Sequence, residues 1–521
     1  MIGVLPCRSQ SKATELVLAA LRRSVSFGMA AQIAVAALEA TNFIVAVSPD
    51  DYLADELLRW LDKPYRKLLL LGKVPNALRE HFGLRTSHWP ENEQVWAESA
   101  SAPKGRMAAS AAEIRYSQES RGLGAEAWRR PLERFDFTDE WNNLGYGAVR
   151  VDDSIWAISD ALKAPIANSL AELMLADESV ASYCCLFEDA NSSVLWINRP
   201  VGTIDSFEWR LVERFISEWR ASEGLPCRPV LSEIPFGHSA AVTMRLDCDE
   251  DISSSRFLWE VYKSRGVPMS LALHTTNLRS SAQHHEFLQS FLQDGGALLS
   301  HTATHAPNWG GSYEAARNEG IGSRKSIAAA TGKNVPYAVS PFHQSPPYAL
   351  QALCDVGYQG CIGGIIRNDP EFLMARGGEL AGLPSGFIGH SQQCMLHGDC
   401  LLDDGDPLAI YKMAIDQAIE TRTFFGYLDH PFSERYQYGW LDEESRAQVH
   451  ATLIEYIRGR SDKVIFLDEN AALDFLRGRA SLSITSTTDG YALSGEQRGN
   501  LRYGVEYRGT LVVFENGALL S

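Results

Sequence analysis

Cysteine pairs of the Cys-x-x-Cys type are missing from this sequence of 521 residues, and its nine cysteines are scattered along the chain. A structural zinc site built from such pairs is therefore not predicted. The odd cysteine count, without the spacing of a disulfide framework, favours a reducing compartment. The neighbours Cys184 and Cys185 lie inside a strand-like run, so we interpret them as core thiols rather than as nucleophiles.

A surplus of basic residues is also missing, because the formal net charge is -17. We expect no nucleic-acid partner, since nucleic-acid phosphates attract basic surfaces. No run reaches the ~20 apolar residues that span a bilayer, so no transmembrane segment is predicted.

The uncharged stretch 24–38 follows two arginines and resembles the apolar part of a secretory signal. It begins late for that role, and its alanine content favours a buried helix. We therefore expect a cytoplasmic location, with export by an atypical N-terminal signal as the alternative.

Glycine-rich phosphate-binding motifs, internal repeats and low-complexity segments are absent as well. Short apolar runs at 2–6, 42–47 and 67–72 alternate with helical stretches, which indicates an α/β open sheet. We assign residues 1–225 to this domain, whose outline is similar to glutamine-amidotransferase-like or flavodoxin-like folds and whose role is unknown. Within it, the irregular stretch 90–140 is interpreted as an insertion.

A proline-rich segment at 226–237 is interpreted as a linker to a second series of strands and helices over 238–468. This series alternates strands and helices, which indicates an α/β domain. From 469 to 521 the pattern changes to alternation with period two, which predicts a small β appendage. That appendage either packs on the preceding domain or binds glycan.

Three polar groups follow apolar strands in the second series, where barrels place their active sites. Asp247 and Asp249 close the first strand, and His301 and His305 follow ALLS. One carboxylate and two imidazoles give three ligands and leave positions open, as in catalytic zinc sites. His430 closes a later strand and has the side chain of a general acid.

These segments resemble the polysaccharide deacetylases of carbohydrate esterase family 4. The matches are Asp247-Cys248-Asp249, the full His-Thr-Ala-Thr-His motif at 301–305, and Leu428-Asp429-His430. A less exact match is Ser340-Pro341-Phe342-His343, which corresponds to a loop on one wall of the groove. The resemblance covers about 238–468 and implies a distorted (β/α) barrel, usually of seven strands.

The resemblance also implies roles for these residues. Asp247 would be the base, Asp249, His301 and His305 the metal ligands, and His430 the acid. Water on the metal would then attack the amide carbonyl. The implied metal is divalent, most often Zn²⁺, with Co²⁺, Ni²⁺ or Mn²⁺ as alternatives. We expect the substrate to be bound by Pro341, Phe342, His343, Trp309 and Asp429.

The chain departs from the family pattern at two places. The arginine that usually pairs with the base is missing from the third motif, and Arg245 is one candidate to replace it. The Asp-Trp motif has no clean counterpart, although Asp399 lies in the corresponding region. These departures leave the substrate less defined than the metal site.

The sequence therefore predicts a metal-dependent carbohydrate deacetylase that removes acyl groups from an amino sugar or glycan. In a cytoplasmic protein, a sugar intermediate or lipid-linked oligosaccharide of polysaccharide biosynthesis is favoured over an extracellular polymer. One alternative is hydrolysis of a non-sugar amide, as in the allantoinase-like branch. Another is an inactive barrel that binds or assembles glycan.

Overall fold

The computed structural model describes residues 1–6, 10–90, 112–125, 128–131, 149, 157–175, 177–203, 205–278, 281–363, 376–391, 394–396 and 406–521. Most of the expected insertion at 90–140 and Asp399 lie outside the described residues. Within them, the protein is a mixed α/β structure. No described helix combines the length and the apolar character that crossing a bilayer requires.

The first sheet is built from the N-terminal part of the chain. Its strands, together with a separate short pair (β5 and β8), are β1 (Ile2–Leu5), β2 (Ala30–Gln32), β3 (Phe43–Val47), β4 (Arg66–Leu71), β5 (Arg85–Thr86), β6 (Ala112–Tyr116), β7 (Arg129–Pro131), β8 (Leu162–Lys163), β9 (Ser169–Leu175), β10 (Glu178–Glu188) and β11 (Ser192–Ile197). The accompanying helices are α1 (Ser11–Val25), α2 (Ala54–Leu61), α3 (Asn76–His81) and α4 (Ser206–Ser217).

The sequence predicts a parallel sheet, but only half of the strand pairings in this sheet are parallel. Its order is β2-β1-β3-β4-β11-β10-β9-β6-β7. Along this order, the four pairings from β2 to β11 are parallel. The four pairings from β11 to β7 are antiparallel. Three of the four antiparallel pairings join strands that follow one another in the chain, because a hairpin adds neighbours without a crossover helix, and the fourth joins β9 to β6.

The expected buried helix over 24–38 is wrong. Helix α1 ends at Val25, and Ser26 takes the left-handed conformation with φ 74°. The alanine-rich residues that follow form β2, which pairs with β1 at the edge of the sheet. Amino-acid composition does not show that the backbone at Ser26 ends the helix. The alanine content alone therefore favoured a helix that the chain does not form.

The second sheet carries the candidate site. Its strands are β13 (Ala240–Cys248), β14 (Ser270–Leu273), β15 (Ala297–Ser300), β16 (Tyr337–Val339), β17 (Gly360–Gly363), β18 (Gly378–Glu379), β19 (Ile388–Ser391), β20 (Cys394–Met395), β21 (Phe424–Asp429) and β22 (Val464–Leu467). Its helices are α5 (Ser255–Ser264), α6 (Thr275–Leu278), α7 (Ala282–Gln293), α8 (Tyr313–Thr331), α9 (Pro347–Asp355), α10 (Ala409–Thr421), α11 (Glu443–Arg460) and α12 (Glu469–Ala480).

The strand pairings and the chain connections bring the two ends of this sheet toward each other. Strands β13 to β17 pair in sequence and in parallel. Strand β19 pairs with β17 near one end, while β20 pairs with β21 at the other end, and β21 returns to β13. Among the described residues no pairing joins β19 to β20, but only two residues separate these strands in the chain. The sheet is therefore arranged as a distorted, incompletely closed barrel. The parallel pairings also bring the carboxyl ends of its strands to one rim.

The C-terminal region differs from the expected β appendage at its start. Residues 469–480 form α12, which begins after Asp468 accepts a hydrogen bond from Ala471 N at 2.8 Å. The remaining strands are β23 (Ser483–Thr487), β24 (Gly490–Ser494), β25 (Gly504–Tyr507), β26 (Thr510–Val513) and β27 (Leu519–Leu520). Period-two alternation is thus confined to the residues after α12.

Residues 226–237 are mostly buried instead of forming an exposed tether. They contain β12 (Val230–Leu231), which pairs with β25 of the C-terminal region. Nearby, Arg376 forms ion pairs with Glu213 of α4 at 2.7 Å and with Glu233 at 3.1 Å. One hydrophobic cluster also joins residues of the first sheet, the barrel and the C-terminal strands. The connection between the sheets is therefore part of a shared core.

Candidate metal centre

Two strand ends on the barrel rim position the three predicted metal ligands. Asp249 directly follows β13, and His301 directly follows β15. Thr302 and His305 have φ of 67° and 53°, so the chain turns sharply and brings His305 back toward His301. Glu319 of α8 fixes this turn by accepting hydrogen bonds from Ala303 N and Thr304 N, both at 2.8 Å.

The ligand atoms of these three residues converge on one point. Asp249 Oδ1 lies 3.3 Å from Nε2 of His301 and 3.3 Å from Nε2 of His305. The two Nε2 atoms are 3.1 Å apart. Bonds of about 2.0–2.1 Å in a tetrahedral zinc site separate neighbouring ligand atoms by roughly 3.3–3.4 Å. The spacing of the three ligand atoms therefore fits one small divalent ion. Within the described residues, Asp249, His301 and His305 are the group of side chains whose arrangement could hold a metal ion.

The hydrogen bonds and charges of the two imidazoles also suit a metal. His301 Nδ1 lies 3.2 Å from the carbonyl oxygen of Val339, which only accepts, so Nδ1 carries a proton and Nε2 is the atom left for a metal. Burial acts to lower the pKa of His301, but Asp247 and Asp249 raise it, so a metal bound at Nε2 takes the place of the second proton. Burial and the neighbouring His301 lower the pKa of His305 to about 3. His305 is therefore neutral at physiological pH, which is the form that binds a metal.

Asp249 is held in its ionised form. Burial acts to raise the pKa of this carboxyl group, but the contacts with His301 and His430 hold it well below its usual range. Its main-chain oxygen accepts hydrogen bonds from His274 Nδ1 at 3.2 Å and from Asn277. His274 follows β14 as His301 follows β15, so the sequence signal for it was a histidine closing an apolar strand.

Asp247, the predicted base, pairs with Arg245 from the same face of β13. Arg245 Nε donates to Asp247 Oδ1 at 2.7 Å, and Nη2 donates to Oδ2 at 3.3 Å. Burial acts to raise the pKa of Asp247, but Arg245 and His301 lower it to about 2. Glu469 at the start of α12 lies 3.8 Å from Arg245 Nη1 on the other side. Arg245 is therefore the arginine that pairs with the predicted base in this structure.

His430, the predicted acid, contacts the carboxylate oxygen of Asp249 that the two histidine ligands leave free of contact. Its Nε2 is 3.6 Å from Asp249 Oδ2, whereas His305 Nε2 lies at Oδ1. The ring stacks on Tyr436 with centroids 4.2 Å apart and planes 2° from parallel. The Tyr436 hydroxyl donates to Asp249 Oδ2 at 2.8 Å. Tyr436 therefore contacts both a candidate ligand and the candidate acid.

Asp429 is not placed to bind substrate. Its side chain is fully buried and accepts a hydrogen bond from His450 Nε2 at 2.9 Å. Arg446 Nε lies 3.4 Å from the same carboxylate. Because alternate side chains of a strand point to opposite faces, Asp429 faces the helix layer and not the rim.

The remaining predicted substrate residues divide into two groups. Trp309 is fully buried and donates through Nε1 to Gln344 O at 3.0 Å, so it packs in the core instead of stacking on a sugar. Phe342 is half-buried, with its ring centroid 4.5 Å from that of His305. Pro341 and His343 are buried beside it in a short 3-10 turn. Phe342 is the member of this loop that forms a wall of the site.

Comparisons with known proteins find similarity to solved structures. No family model matches the chain, and no curated protein matches it. A Mycobacterium smegmatis protein assigned as a polysaccharide deacetylase is 13% identical, with a TM-score of 0.38, over 47% of this chain and 93% of that one. An allantoinase is 11% identical, with a TM-score of 0.36, over 46% and 91%.

A family 4 carbohydrate esterase from Bacillus anthracis is 13% identical, with a TM-score of 0.28, over 45% of this chain and 82% of that one. The similar structures therefore correspond to less than half of the chain. At TM-scores below 0.5, these similarities carry no argument for fold or function.

Proposed function

We propose that the protein is a metal-dependent hydrolase that removes an N-acetyl or similar acyl group from an amino sugar or glycan. The observation that carries this proposal is the convergence of one carboxylate oxygen and two imidazole nitrogens within 3.1–3.3 Å of one another. The buried carboxylate of Asp247 and the imidazole of His430 adjoin that group, at 4.0 Å and 3.6 Å from its atoms. Metal-assisted amide hydrolysis uses a metal site, a base and an acid at one place.

Asp249, His301 and His305 would hold the divalent ion. Two nitrogens and one oxygen suit zinc, while cobalt, nickel and manganese accept the same donors. When bound there, the ion supplies Lewis-acid polarisation of the amide carbonyl and of water. The hydrogen bonds to Val339, His274 and Asn277 keep the ligands oriented for it.

Asp247 accepts the proton of the attacking water. Its low pKa keeps it ionised at neutral pH, and the two hydrogen bonds from Arg245 fix the direction of its carboxylate. Asp247 Oδ2 lies 4.0 Å from His301 Nε2, so the base adjoins the ligand group without belonging to it. A base at that distance reaches a water molecule that contacts both.

His430 supplies a proton to the departing amine. Its Nε2 lies 3.6 Å from Asp249 Oδ2, whereas the two histidine ligands contact Oδ1, and stacking on Tyr436 fixes the plane of its ring. The acid therefore adjoins the ligand group without sharing the oxygen that faces the metal position. Phe342 stands above His305 as an apolar wall against which an acyl methyl group or a sugar ring packs.

Metal analysis and acetate release together test this proposal. We expect the purified chain to hold about one divalent ion and to release acetate from a panel of N-acetylated amino sugars. Asp249→Ala removes both properties, whereas Asp251→Ala, at an exposed carboxylate two residues further along, retains them. Turnover of allantoin-type amides instead of amino sugars favours the non-sugar hydrolase. Absence of both metal and turnover contradicts the enzymatic proposal and favours a glycan-binding barrel.

A further inference from the structure

The first sheet contains a cavity to which the proposed function gives no role. Its volume is about 740 Å³, within the range of small-molecule sites. It is lined by residues 10–13 at the start of α1, by 48–51 directly after β3, and by 73–76 with Arg79 after β4. The cavity therefore opens at the carboxyl edge of the parallel half of the sheet.

The strand order makes this edge a natural crevice. From β1 the chain crosses through α1 to β2 on one side, whereas from β3 it crosses through α2 to β4 on the other side. Helices α1 and α2 pack on opposite faces, since each belongs to a different hydrophobic cluster. The connection after β1 and the connection after β3 thus run to opposite faces of the sheet. Open parallel sheets bind their ligands in the crevice between two such connections.

Positive groups line one part of the crevice. Lys12 and Lys73 are exposed there, and among the described residues Lys73 forms no ion pair. Arg79 is fixed by Asp160, whose Oδ2 lies 2.8 Å from Nη2. The first turn of α1 adds backbone N–H groups, from which, among the described residues, the Gln10 side chain accepts no hydrogen bond. Ammonium groups beside the start of a helix favour a compact oxyanion.

Carboxylates line another part of the same crevice. Asp50 and Asp51 follow β3 and face the cavity that Lys12 and Lys73 share. Carboxylates accept hydrogen bonds from hydroxyl groups, of which inorganic phosphate at neutral pH carries only one or two, on the phosphorus itself. A ligand that satisfies both parts carries a phosphate group and several hydroxyl groups on one small frame.

The floor of the crevice is rigid before any ligand arrives. Ser48 N donates to Leu71 O at 2.7 Å, and Lys73 N donates to Ser48 Oγ at 3.2 Å. Gly72 has φ 81°, and a Cβ added to it would lie 2.3 Å from Ser48 Oγ. Glycine is therefore required where β4 ends, and the loops after β3 and β4 are locked together. A site that is already ordered loses little conformational entropy on binding.

We propose that this crevice binds a small phosphorylated, polyhydroxylated molecule of the sugar-phosphate class. The phosphate lies against Lys12, Lys73 and the start of α1, and the hydroxyl groups lie against Asp50 and Asp51. The site is separate from the metal centre, so its occupancy does not depend on the proposed hydrolase activity.

Binding of three probes to the full chain tests the proposal. Isothermal titration calorimetry with glucose 6-phosphate, inorganic phosphate and glucose separates the contributions of the phosphate and hydroxyl groups. We expect glucose 6-phosphate to bind most tightly, phosphate more weakly and glucose not measurably. The double variant Lys12→Ala/Lys73→Ala weakens glucose 6-phosphate binding at least tenfold. A control double variant, Lys325→Ala/Lys333→Ala, makes the same change of charge at exposed positions outside the cavity lining and leaves binding unchanged.

A further variant tests the hydroxyl contacts. Asp51→Asn is expected to weaken glucose 6-phosphate binding and to leave phosphate binding unchanged or stronger. No saturable binding of either phosphate compound at 10 mM, a level well above the ~1 mM of a weak specific site, overturns the proposal. Binding that both lysine double variants weaken equally overturns it too, because net charge alone then explains the effect. Phosphate and glucose 6-phosphate binding equally tightly overturns the assignment to sugar phosphates.

Discussion

The two large sheets of this protein differ at the carboxyl edges of their parallel strands. On the barrel rim, side chains from two strand ends meet within 3.3 Å and are mostly buried. At the edge of the first sheet, charged side chains stand around an open cavity and remain exposed. Closure of a sheet into a barrel brings every strand end toward one axis, whereas an open sheet leaves a crevice. The barrel rim is therefore suited to chemistry on a metal, and the open edge to binding.

Loss of one imidazole gives the largest expected difference between the two edges. His301→Ala removes a ligand whose Nε2 lies 3.3 Å from Asp249 Oδ1, so we expect loss of stoichiometric metal and a fall in turnover of at least about 10³-fold. Metal analysis and acetate release measure both effects. His285→Ala, at an exposed histidine, is the control and leaves both unchanged. A metal-loaded, active His301→Ala protein would falsify the ligand assignment.

Asp247→Asn separates the base from the ligands. The amide keeps the shape of the side chain but accepts no proton, so we expect turnover to fall about 10²- to 10⁴-fold. Metal content stays near that of the native protein, because Asp247 lies 4.0 Å from the nearest ligand nitrogen. Loss of metal together with activity would instead make Asp247 a ligand.

Asp429→Ala sharpens the comparison within the barrel rim itself. Asp429 and Asp249 both close strands, but Asp429 faces the helix layer and pairs with Arg446 and His450. Its removal leaves buried polar groups without their partner, and we expect a loss of about 3–5 kcal/mol in the free energy of unfolding. Urea denaturation measures the loss. Metal content per folded molecule stays unchanged, and a variant with native stability but no metal contradicts this structural role.

Whether a residue of the candidate site could be predicted from the sequence depended on its distance along the chain from the other site residues. His301 and His305 lie four residues apart and Asp247 and Asp249 two apart, so a local pattern at a strand end was enough to find them. Tyr436, Asn277 and Glu469 reach the site from separate segments, and no spacing relates them to the ligands. Only the fold, which sets where those segments meet, brings them to the rim.

Residue type was a poor guide to exposure. Trp309 has the side chain of a sugar-stacking residue, yet it is fully buried and bonded to Gln344. Asp429 has the side chain of a ligand or a base, and its position in a strand turns it away. Strand alternation, applied to 428–430, already distinguishes Asp429 from His430. Burial of Trp309 has no comparable local signal, because it depends on packing from distant segments.

The smallest effect is expected at Tyr436, where the rim and its aromatic cover meet. Tyr436→Phe removes the hydroxyl that donates to Asp249 Oδ2 at 2.8 Å but keeps the ring that stacks on His430. Partners of metal ligands typically contribute about 10- to 100-fold to metal affinity, and we expect the lower end because Asp249 keeps its other contacts. Competition with a chelator measures the change. Tyr456→Phe, which removes a 2.9 Å hydrogen bond to Asp416 outside the site, is the control. Equal metal affinities of the two variants would mean that Tyr436 acts on His430 alone, and its hydroxyl would then have no part in holding the metal.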